Sequence, residues 1–380
     1  MEGQRISYQK LQRRLLLTTH YFYNTYVKTW DVILIGGGII GLSLAIELRK
    51  RGVSVLILER GEPGREASHA AAGMLSDCGL EMPEALLPLA RASARMYPEF
   101  AHDLQDESGI NVDLRDQGSL MFLPHDHRAP KWNSKRISVE KVAQIEPELV
   151  DQGLAVFHIN ERTVDPRALT AAALRAAKHR EIDIASGTTV TGLLMTDGRT
   201  AGVVTNKSTY QSETIVNCAG AWAGQISGEP FPTRPVKGQM LCVVGPKLTH
   251  VLRAPDVYLV PRSDGRVLIG ATVEESGYDK RTVPETIQRL RRDATKLVPA
   301  IAQARILEDW AGLRPGTPDA LPILGATDTP GYFVATGHFR DGVLLAPVTA
   351  RLMAQIMTGA TSEHDLSAFS PARFKVRKTA

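Results

Sequence analysis

The sequence has 380 residues, which corresponds to two or three domains of ordinary size. Its composition is 43% hydrophobic and 23% charged with 32 glycines, which is typical of a globular protein and excludes fibrous and intrinsically disordered classes. Of the 45 basic and 41 acidic residues, five and one fall within residues 1–30, which leaves 40 of each in the rest of the chain. A body without net charge gives no electrostatic reason to expect a nucleic acid as partner.

Cysteine usage and hydropathy predict a cytoplasmic protein with no integral membrane span. The three cysteines, Cys78, Cys218 and Cys242, have no paired spacing and no His at ligand spacing beside them. We therefore expect no metal site and no disulfide framework. The longest uncharged run, residues 32–46, has 15 residues, which is shorter than the ~18 that a membrane span needs.

Residues 1–28 are predicted to be a leader outside the fold. They carry the excess positive charge and only one apolar triplet, residues 15–17, so they lack the apolar region of a secretory signal. A gene start assigned too far upstream and a transit peptide both fit this pattern.

The first ordered unit is predicted to be βαβ. Residues 32–35 form a short apolar strand, residues 42–51 a helix and residues 53–58 a second apolar strand. Because a βαβ unit joins two parallel strands, their sheet should be parallel.

A glycine motif lies between the first strand and the helix. Gly36 to Gly41 reads G-x-G-x-x-G, in which Gly36 makes the tight turn, Gly38 lets a pyrophosphate approach and Gly41 allows close packing of helix on strand. Glu59 ends the second strand, where a carboxylate can accept hydrogen bonds from ribose hydroxyls. This combination predicts a bound dinucleotide but does not distinguish FAD from NAD.

The later elements alternate between two kinds of sheet. In chain order they are a helix from the Asp165-Pro166 cap to about residue 180, strands at 187–196, 200–205 and 214–218, longer β runs at 235–244, 257–261 and 266–272, a charged helix at 284–297, a strand at 332–335, a Gly-rich turn at 337–342 and a helix at 343–357. The strand at 214–218 is expected to return to the dinucleotide sheet.

The predicted fold class is α/β, with a Rossmann-like dinucleotide-binding domain built on a parallel sheet. An α+β substrate-binding domain with a large antiparallel sheet completes it. Both domains are expected to be discontinuous. Residues 29–82, 155–230 and 319–362 are assigned to the first, residues 83–154 and 231–318 to the second, and residues 363–380 to a C-terminal tail.

Small residues and hydroxyls follow the second strand, in EASHAAAGML at 66–75, where the chain would pass beside a flat ring system. With this segment the sequence resembles the FAD-dependent amine oxidases of the D-amino-acid oxidase and sarcosine oxidase superfamily. The resemblance covers residues 29–360. It also rests on IVNCAGAW at 215–222, PVKGQ at 235–239, WAGLRPGT at 310–317 and GHFRDG at 337–342. The last two, with GATVEE at 270–275, resemble the glycine oxidase branch that serves thiamine biosynthesis.

The resemblance implies FAD as the cofactor. In the sarcosine oxidase branch a Cys in the C-terminal part can carry the flavin covalently, but no Cys follows Cys242, so the FAD is expected to be non-covalent. The implied contacts are the backbone of Ile39 and Ile40 at the pyrophosphate, Glu59 and Arg60 at the adenosine, Val190 over the adenine, Ser68, Ala72, Gly73 and Met74 beside the flavin, and His338, Phe339, Arg340, Asp341, Gly342, Val343 and Leu344 around its pyrimidine edge. Backbone donors of that last loop and the following helix terminus suit the negative charge of reduced flavin.

The resemblance also implies a pocket for an amino acid. A carboxylate needs a fixed cation, and a planar guanidinium can bind it through two parallel hydrogen bonds. Arg314 is the implied anchor, with Arg340 and Tyr258 lining the same pocket. Asp256 stands where relatives can have a neutral or basic residue, which leaves the charge of the pocket and the substrate preference open.

The implied activity is oxidation of a small amino acid, with glycine first. Hydride would pass from Cα to flavin N5 and give an imine, which water converts to glyoxylate and ammonia, while dioxygen reoxidises the flavin and yields hydrogen peroxide. The imine would supply thiamine thiazole synthesis. The resemblance further suggests a homotetramer.

Several alternatives follow from the same residues. D-amino acids or sarcosine would also fit an arginine-anchored pocket, because one methylene gives only about 1–3 kcal/mol of discrimination. A tRNA-modifying flavoprotein of the same fold is disfavoured by the balanced charge. A dinucleotide-binding module without catalysis is disfavoured by the segments that contain Arg314 and Arg340.

Overall fold

The structure is a computed structural model that describes residues 28–77, 82–127, 129–130, 133–226 and 231–374. Residues 1–27 of the expected leader and 375–380 of the expected tail lie outside the described residues. The described strands are β1 (Val32–Ile35), β2 (Val55–Leu58), β3 (Met74–Leu75), β4 (Ser119–Leu123), β5 (Ser134–Ile137), β6 (Ala155–Ile159), β7 (Arg162–Thr163), β8 (Asp183–Ala185), β9 (Val190–Thr196), β10 (Arg199–Thr205), β11 (Thr209–Gln211), β12 (Ile215–Asn217), β13 (Arg234–Val244), β14 (Val251–Arg253), β15 (Tyr258–Pro261), β16 (Arg266–Gly270), β17 (Arg305–Gly316), β18 (Ile323–Ala326) and β19 (Tyr332–Thr336). The described α-helices are α1 (Ile39–Lys50), α2 (Ala67–Ala70), α3 (Leu87–Ser108), α4 (Val139–Ile145), α5 (Pro166–His179), α6 (Pro284–Leu297) and α7 (Gly342–Met357).

A mostly parallel sheet forms the nucleotide-binding half. Its described strands follow the order β18-β19-β12-β1-β2-β8, and only β18 runs antiparallel to its neighbour. Strand β12 pairs with β1, as expected for a chain that returns to this sheet. Successive side chains of β1 pack into different hydrophobic clusters, with Leu34 in one and Ile33 in the other, so both faces are covered. This explains why the strand is apolar at every position.

Two glycines of the motif let α1 approach the sheet closely. A Cβ at Gly36, whose φ is +109°, would lie 2.5 Å from the carbonyl oxygen of Cys218. A Cβ at Gly41 would lie 2.1 Å from the carbonyl oxygen of Gly36. Gly41 is inside α1, which begins at Ile39, rather than in the preceding turn. Any side chain at these two positions would separate the helix from the strand ends.

The second half is built on a mostly antiparallel sheet. Its described strands follow the order β17-β13-β16-β15-β14-β4-β6-β5, in which the β14–β4 pair alone is parallel. Helix α6 covers one face through Leu290 and Leu297. The predicted fold class, a parallel nucleotide-binding sheet joined to a large antiparallel sheet, is confirmed.

The packing divides the chain differently from the sequence prediction at two places. Helix α3, expected with the antiparallel sheet, packs instead on α5 and α7 and places Leu89 and Leu104 in the core of the nucleotide-binding half. Strand β6, expected in the nucleotide-binding half, pairs with β4 in the antiparallel sheet. We therefore propose that α3 belongs to the first domain and β6 to the second. The described part of the tail also joins the first, because Phe369 is buried in the same core.

Buried hydroxyls of α3 complete the hydrogen bonding of α7. Pro347 lies inside α7 and has no N–H for the carbonyl of Val343, four residues earlier. The hydroxyl of Tyr97 donates to that carbonyl at 2.6 Å instead. One residue further along, Ser93 donates to the carbonyl of Leu344 at 2.6 Å. These contacts attach α3 to the first turn of α7, where the chain enters from the predicted flavin-binding loop.

Replacing Tyr97 tests whether α7 depends on this hydrogen bond to the carbonyl of Val343. In Tyr97→Phe the buried carbonyl of Val343 loses its donor, and we expect a loss of about 1–3 kcal/mol in the free energy of unfolding. Adding Pro347→Ala supplies the missing N–H and should recover part of that loss. Urea denaturation at a fixed FAD concentration measures both effects. Strictly additive effects of the two substitutions would contradict the pairing.

Candidate active site

One large cavity lies between the two halves. Its volume is about 990 Å³, at the upper end of the ~300–1,000 Å³ that ligand pockets occupy. Residues of both sheets line it, so a ligand that fills it contacts both halves. The predicted residues on its wall are Gly36, Gly38, Ile39, Ile40, Glu59, Arg60, Ser68, Ala72, Gly73, Met74, Val190, Tyr258, Arg314, His338, Phe339, Arg340, Gly342 and Val343.

The amino terminus of α1 opens onto this cavity. Gly38 precedes the helix in an extended conformation, and a Cβ there would meet only the Ser68 hydroxyl, at 3.3 Å. The amide of Ile39 donates to that hydroxyl at 3.0 Å. First-turn amides and the helix dipole make such a terminus suitable for a phosphate. Ser68, which the resemblance places beside the flavin, therefore lies at the phosphate-binding terminus.

Glu59 is held rigidly in the cavity wall. Its carboxylate is nearly buried, with 8% of the residue exposed. One oxygen accepts from the amide of Gly37 at 2.8 Å and the other from the amide of Gly61 at 2.9 Å. Each carboxylate oxygen has a further lone pair, so Glu59 can still accept hydrogen bonds from a diol.

Contacts with neighbouring residues fix the part of the cavity wall that contains Ala72, Gly73 and Met74. The buried guanidinium of Arg262 donates to the carbonyl of Ala72 at 2.6 Å. A Cβ at Gly73, whose φ is +76°, would lie 2.0 Å from the carbonyl oxygen of Val164. Close packing behind this segment therefore fixes its position in the cavity wall.

The loop before α7 forms another part of the cavity wall. Phe339 has a positive φ of +46°, and its amide donates to the carbonyl of Pro315 at 3.0 Å. The ring of His338 is directed away from the loop, with Nε2 3.1 Å from the Thr349 hydroxyl. Burial lowers the pKa of His338 to about 3, so the ring is neutral at physiological pH.

Arg314 presents a positive charge in the cavity. Its Nη1 donates to the carbonyl of Thr272 at 3.0 Å, and the guanidinium lies flat against Gly238, where a Cβ would be only 2.4 Å from Nη2. No carboxylate of the described residues forms an ion pair with it within 4 Å. Burial lowers the pKa of Arg314, with contributions from nearby Tyr258, which raises it, and Arg340, which lowers it.

The three residues predicted for the substrate pocket are brought together. Arg314 and Tyr258 are within hydrogen-bonding reach of each other, and the charge of Arg340 acts on both. Burial raises the pKa of Tyr258, which keeps its phenol protonated. Asp256 also lines the cavity but is exposed.

Three of the predicted residues are not on the cavity wall. Gly41 packs α1 against β1, Leu344 is buried in the core, and Asp341 precedes α7. Sequence reasoning missed several wall residues, among them Trp222, Gly238, Met240 and the three threonines that flank Val190, at 188, 189 and 191. Trp222 and Gly238 lie in the motifs at 215–222 and 235–239, so the sequence contained a signal that could have placed these two residues in the site.

Comparison with known proteins identifies the family. The family model described as FAD dependent oxidoreductase matches residues 31–356. This chain belongs to that family. The predicted dependence on FAD and the predicted oxidoreductase class are thereby confirmed.

Individual members of the FAD dependent oxidoreductase family are similar along most of the chain. The bifunctional protein ThiO/ThiG of Trichormus variabilis is 37% identical over 364 residues, which are 91% of this chain and 55% of that protein. This chain therefore spans about half the length of the bifunctional relatives. The glycine oxidase of Pseudomonas aeruginosa is 33% identical over 362 residues, which are 90% of this chain and 98% of that protein.

A solved structure agrees with the fold. The crystal structure of glycine oxidase from Geobacillus kaustophilus superposes with a TM-score of 0.87 at 31% identity, and the match covers 92% of this chain and 100% of that chain. Within the described residues, no helix is both long and apolar enough to span a bilayer.

The residues present in the cavity fit the family's cofactor. Gly38 leaves the α1 terminus open to a diphosphate, Glu59 offers a carboxylate at the end of β2, and the walls at 72–74 and 338–343 offer two surfaces for a flat ring. We propose these residues as the FAD site, with Arg60 and Val190 at its adenosine end.

Gly38→Val should separate cofactor binding from folding. The added methyl groups have room in the protein but point to where the phosphates must approach, so we expect a folded protein without flavin. Circular dichroism measures folding, and visible absorbance measures bound flavin.

The matched control is Gly41→Val, whose side chain would collide with the carbonyl of Gly36. This variant should lose both the fold and the flavin. A Gly38→Val protein that purifies with the full complement of FAD would contradict the assignment of the phosphate site.

Proposed function

We propose that this protein oxidises a small amino acid, with glycine as the preferred substrate. The observation that carries the proposal is Arg314, a cation in the FAD cavity that has backbone carbonyls but no carboxylate as partners among the described residues. The glycine oxidases of Pseudomonas aeruginosa and Geobacillus kaustophilus support the choice of substrate. When bound, FAD supplies the two-electron oxidation of the carbon–nitrogen bond.

The chain's own residues bind and orient the substrate. Arg314 donates two hydrogen bonds to the carboxylate, and the protonated phenol of Tyr258 donates a third. Because Thr272 and Gly238 hold the guanidinium in place, the carboxylate binds in one orientation, which fixes the position of Cα. Arg340 adds positive charge at the edge of the pocket.

Close packing beside the anchor favours a small substrate. A Cβ at Gly270 would lie 2.9 Å from the Tyr258 hydroxyl and 3.0 Å from Cγ of Met240, so this wall has no spare volume. Neither Tyr258 nor His338 changes its protonation state near neutral pH. Neither group can therefore take a proton from the substrate amine, and the proposed hydride transfer requires an amine that has already lost its proton to solvent.

The complete reaction consumes glycine, dioxygen and water and yields glyoxylate, ammonia and hydrogen peroxide. Before water reacts, the product is the imine, and similarity to the bifunctional ThiO/ThiG proteins supports a role in supplying thiamine thiazole synthesis. Dioxygen as acceptor and a homotetramer are parts of the proposal that rest on the sequence resemblance, and a cytoplasmic location is a part that rests on the cysteine usage.

The FAD is proposed to be non-covalent. Cys218 lines the cavity, but burial raises the pKa of its thiol to about 12, so it is not a nucleophile at neutral pH. Cys242 is fully buried, and Cys78 lies outside the described residues.

Peroxide release by the FAD-loaded protein tests the substrate. We expect the highest kcat/KM for glycine among glycine, sarcosine, D-alanine and D-proline. A clear preference for sarcosine or a D-amino acid would mean that the protein is an amino acid oxidase with that substrate instead of glycine. Absence of peroxide with all four would contradict the proposal.

Arg314→Ala tests the anchor. Loss of a charge-assisted pair in a partly dry pocket should lower kcat/KM for glycine by roughly 30-fold to several thousand-fold, which corresponds to about 2–5 kcal/mol. Orientation is lost with the anchor, so kcat should fall as KM rises. Arg314→Lys keeps the charge without the planar fork and should recover only part of the rate.

The control is flavin content, because Arg314 is assigned to the substrate and not to FAD. Wild type and variants are compared at equal FAD occupancy. A change below about fivefold, or about 1 kcal/mol, would mean that the carboxylate binds elsewhere, with Arg340 the next candidate.

A further inference from the structure

A segment without helix or strand borders the cavity between β16 and α6. We call these residues, 271–283, the strap. Ala271 and Val273 line the cavity, and Val273 is 54% exposed. Both ends of the strap are fixed to Gln239 of β13, whose side chain accepts from the amide of Val283 at 2.7 Å and donates to Glu274 at 2.8 Å. The strap is therefore anchored in the antiparallel half.

The middle of the strap contacts the nucleotide-binding half. The hydroxyl of Tyr278 donates to the carbonyl of Ala221 at 3.0 Å, and its ring centroid is 5.4 Å from that of Trp222, with the planes tilted by 31°. Lys280 Nζ lies 3.1 Å from both carboxylate oxygens of Glu66. The strap thus bridges the two halves of the molecule.

The partners of the strap are themselves cavity walls. Glu66, Ala221 and Trp222 line the cavity. Arg60 joins them, because its guanidinium lies 3.5 Å from the centroid of the Trp222 ring and 2.7 Å from the Glu66 carboxylate. Arg60 directly follows Glu59, the carboxylate assigned to the ribose. Tyr278 and Lys280 therefore hold the wall at the nucleotide end of the cavity.

A contact that joins the walls of a cavity opposes their separation and thereby slows the release of a long cofactor bound between them. We propose that Tyr278 and Lys280 fasten the strap to the Arg60–Glu66–Trp222 wall and thereby slow the release of FAD. This role requires the family's cofactor but does not depend on which amino acid is oxidised. It gives the strap residues a function in cofactor retention.

The two contacts should contribute unequally. Tyr278 is 41% exposed, but it combines an aromatic pair with a hydrogen bond to a carbonyl, and neither contact depends on a solvent-screened charge pair. The Lys280–Glu66 pair is partly exposed, with 46% and 30% of the side chains accessible, and exposed ion pairs contribute little. Removal of the whole Tyr278 side chain should therefore have the largest effect.

The experiment measures the rate of FAD release from the holoenzyme, as the rise of free-flavin fluorescence after dilution. Tyr278→Ala should accelerate release about tenfold or more. Tyr278→Phe keeps the ring and loses the hydroxyl, so about threefold is expected. Lys280→Ala should increase the rate of FAD release by no more than about threefold. The difference between this variant and wild type should become smaller at high salt, because salt screens the Lys280–Glu66 ion pair.

Arg281→Ala is the matched control. Arg281 lies on the same strap, its side chain is 88% exposed, and its ion pair is with Asp279 of the strap itself, so it does not bridge the halves. Release from this variant should stay within twofold of wild type. The thermal midpoint of each apo-protein separates loss of retention from loss of folding, and Tyr278→Ala should lower it by no more than about 4 °C.

Release from Tyr278→Ala at a rate within twofold of wild type would overturn the proposal. Equal acceleration by Tyr278→Ala and Arg281→Ala would also overturn it, because the effect would then not come from the bridge. A third contrary result is unchanged FAD release with a raised KM for the amino acid, which would make the strap a substrate gate.

Discussion

The architecture depends on the close approach of a helix terminus to the ends of two strands. Gly36 and Gly41 bring α1 against β1 and β12 with no side chain between them, and the gap at Gly38 leaves the terminus open to the cavity. A larger residue at either packing position would move the helix away and misplace the donors for a diphosphate. In the proposed FAD site, the position of the nucleotide depends on this contact.

Opposite charges mark the two functional regions of the cavity. Near α1, Glu59 is fixed by backbone amides and suits ribose hydroxyls. Across the cavity, Arg314 is fixed by backbone carbonyls and suits a carboxylate. In each case the backbone orients the charged group and leaves part of its hydrogen-bonding capacity for the ligand. In the proposed site, the carboxylate of the amino acid and the ribose of FAD would therefore bind at different, oppositely charged residues of one cavity.

Features set by short stretches of sequence were predictable. The strand, glycine motif and helix from Val32 to Lys50 follow from local pattern, as does the cap at Asp165, whose carboxylate accepts from the amides of Arg167 and Ala168. Features that depend on residues far apart in the sequence could not be predicted from local pattern. Helix α3 is amphipathic and could have covered either sheet; in the folded chain Leu89 and Leu104 enter the core beneath α7, and Tyr97 supplies the donor that the carbonyl of Val343 needs.

The same distinction applies to the site. The motifs indicated Arg314, Tyr258 and Arg340, but not that Gly238 provides the surface for the guanidinium or that Arg262 holds the Ala72 carbonyl. His338 could be placed in its loop from the sequence, whereas the direction of its ring depends on Thr349 in α7. These relations join residues more than ten positions apart and become visible only in the folded chain.

The central claim is that one cavity holds FAD with its ring system facing a carboxylate bound by Arg314. A crystal structure of the protein grown with FAD and acetate tests it most directly, because acetate supplies the carboxylate without the oxidisable amine. The account predicts the flavin ring between the 72–74 segment and the 338–343 loop, with acetate bound by two hydrogen bonds to Arg314. A flavin outside these walls, or acetate bound away from Arg314, would contradict it.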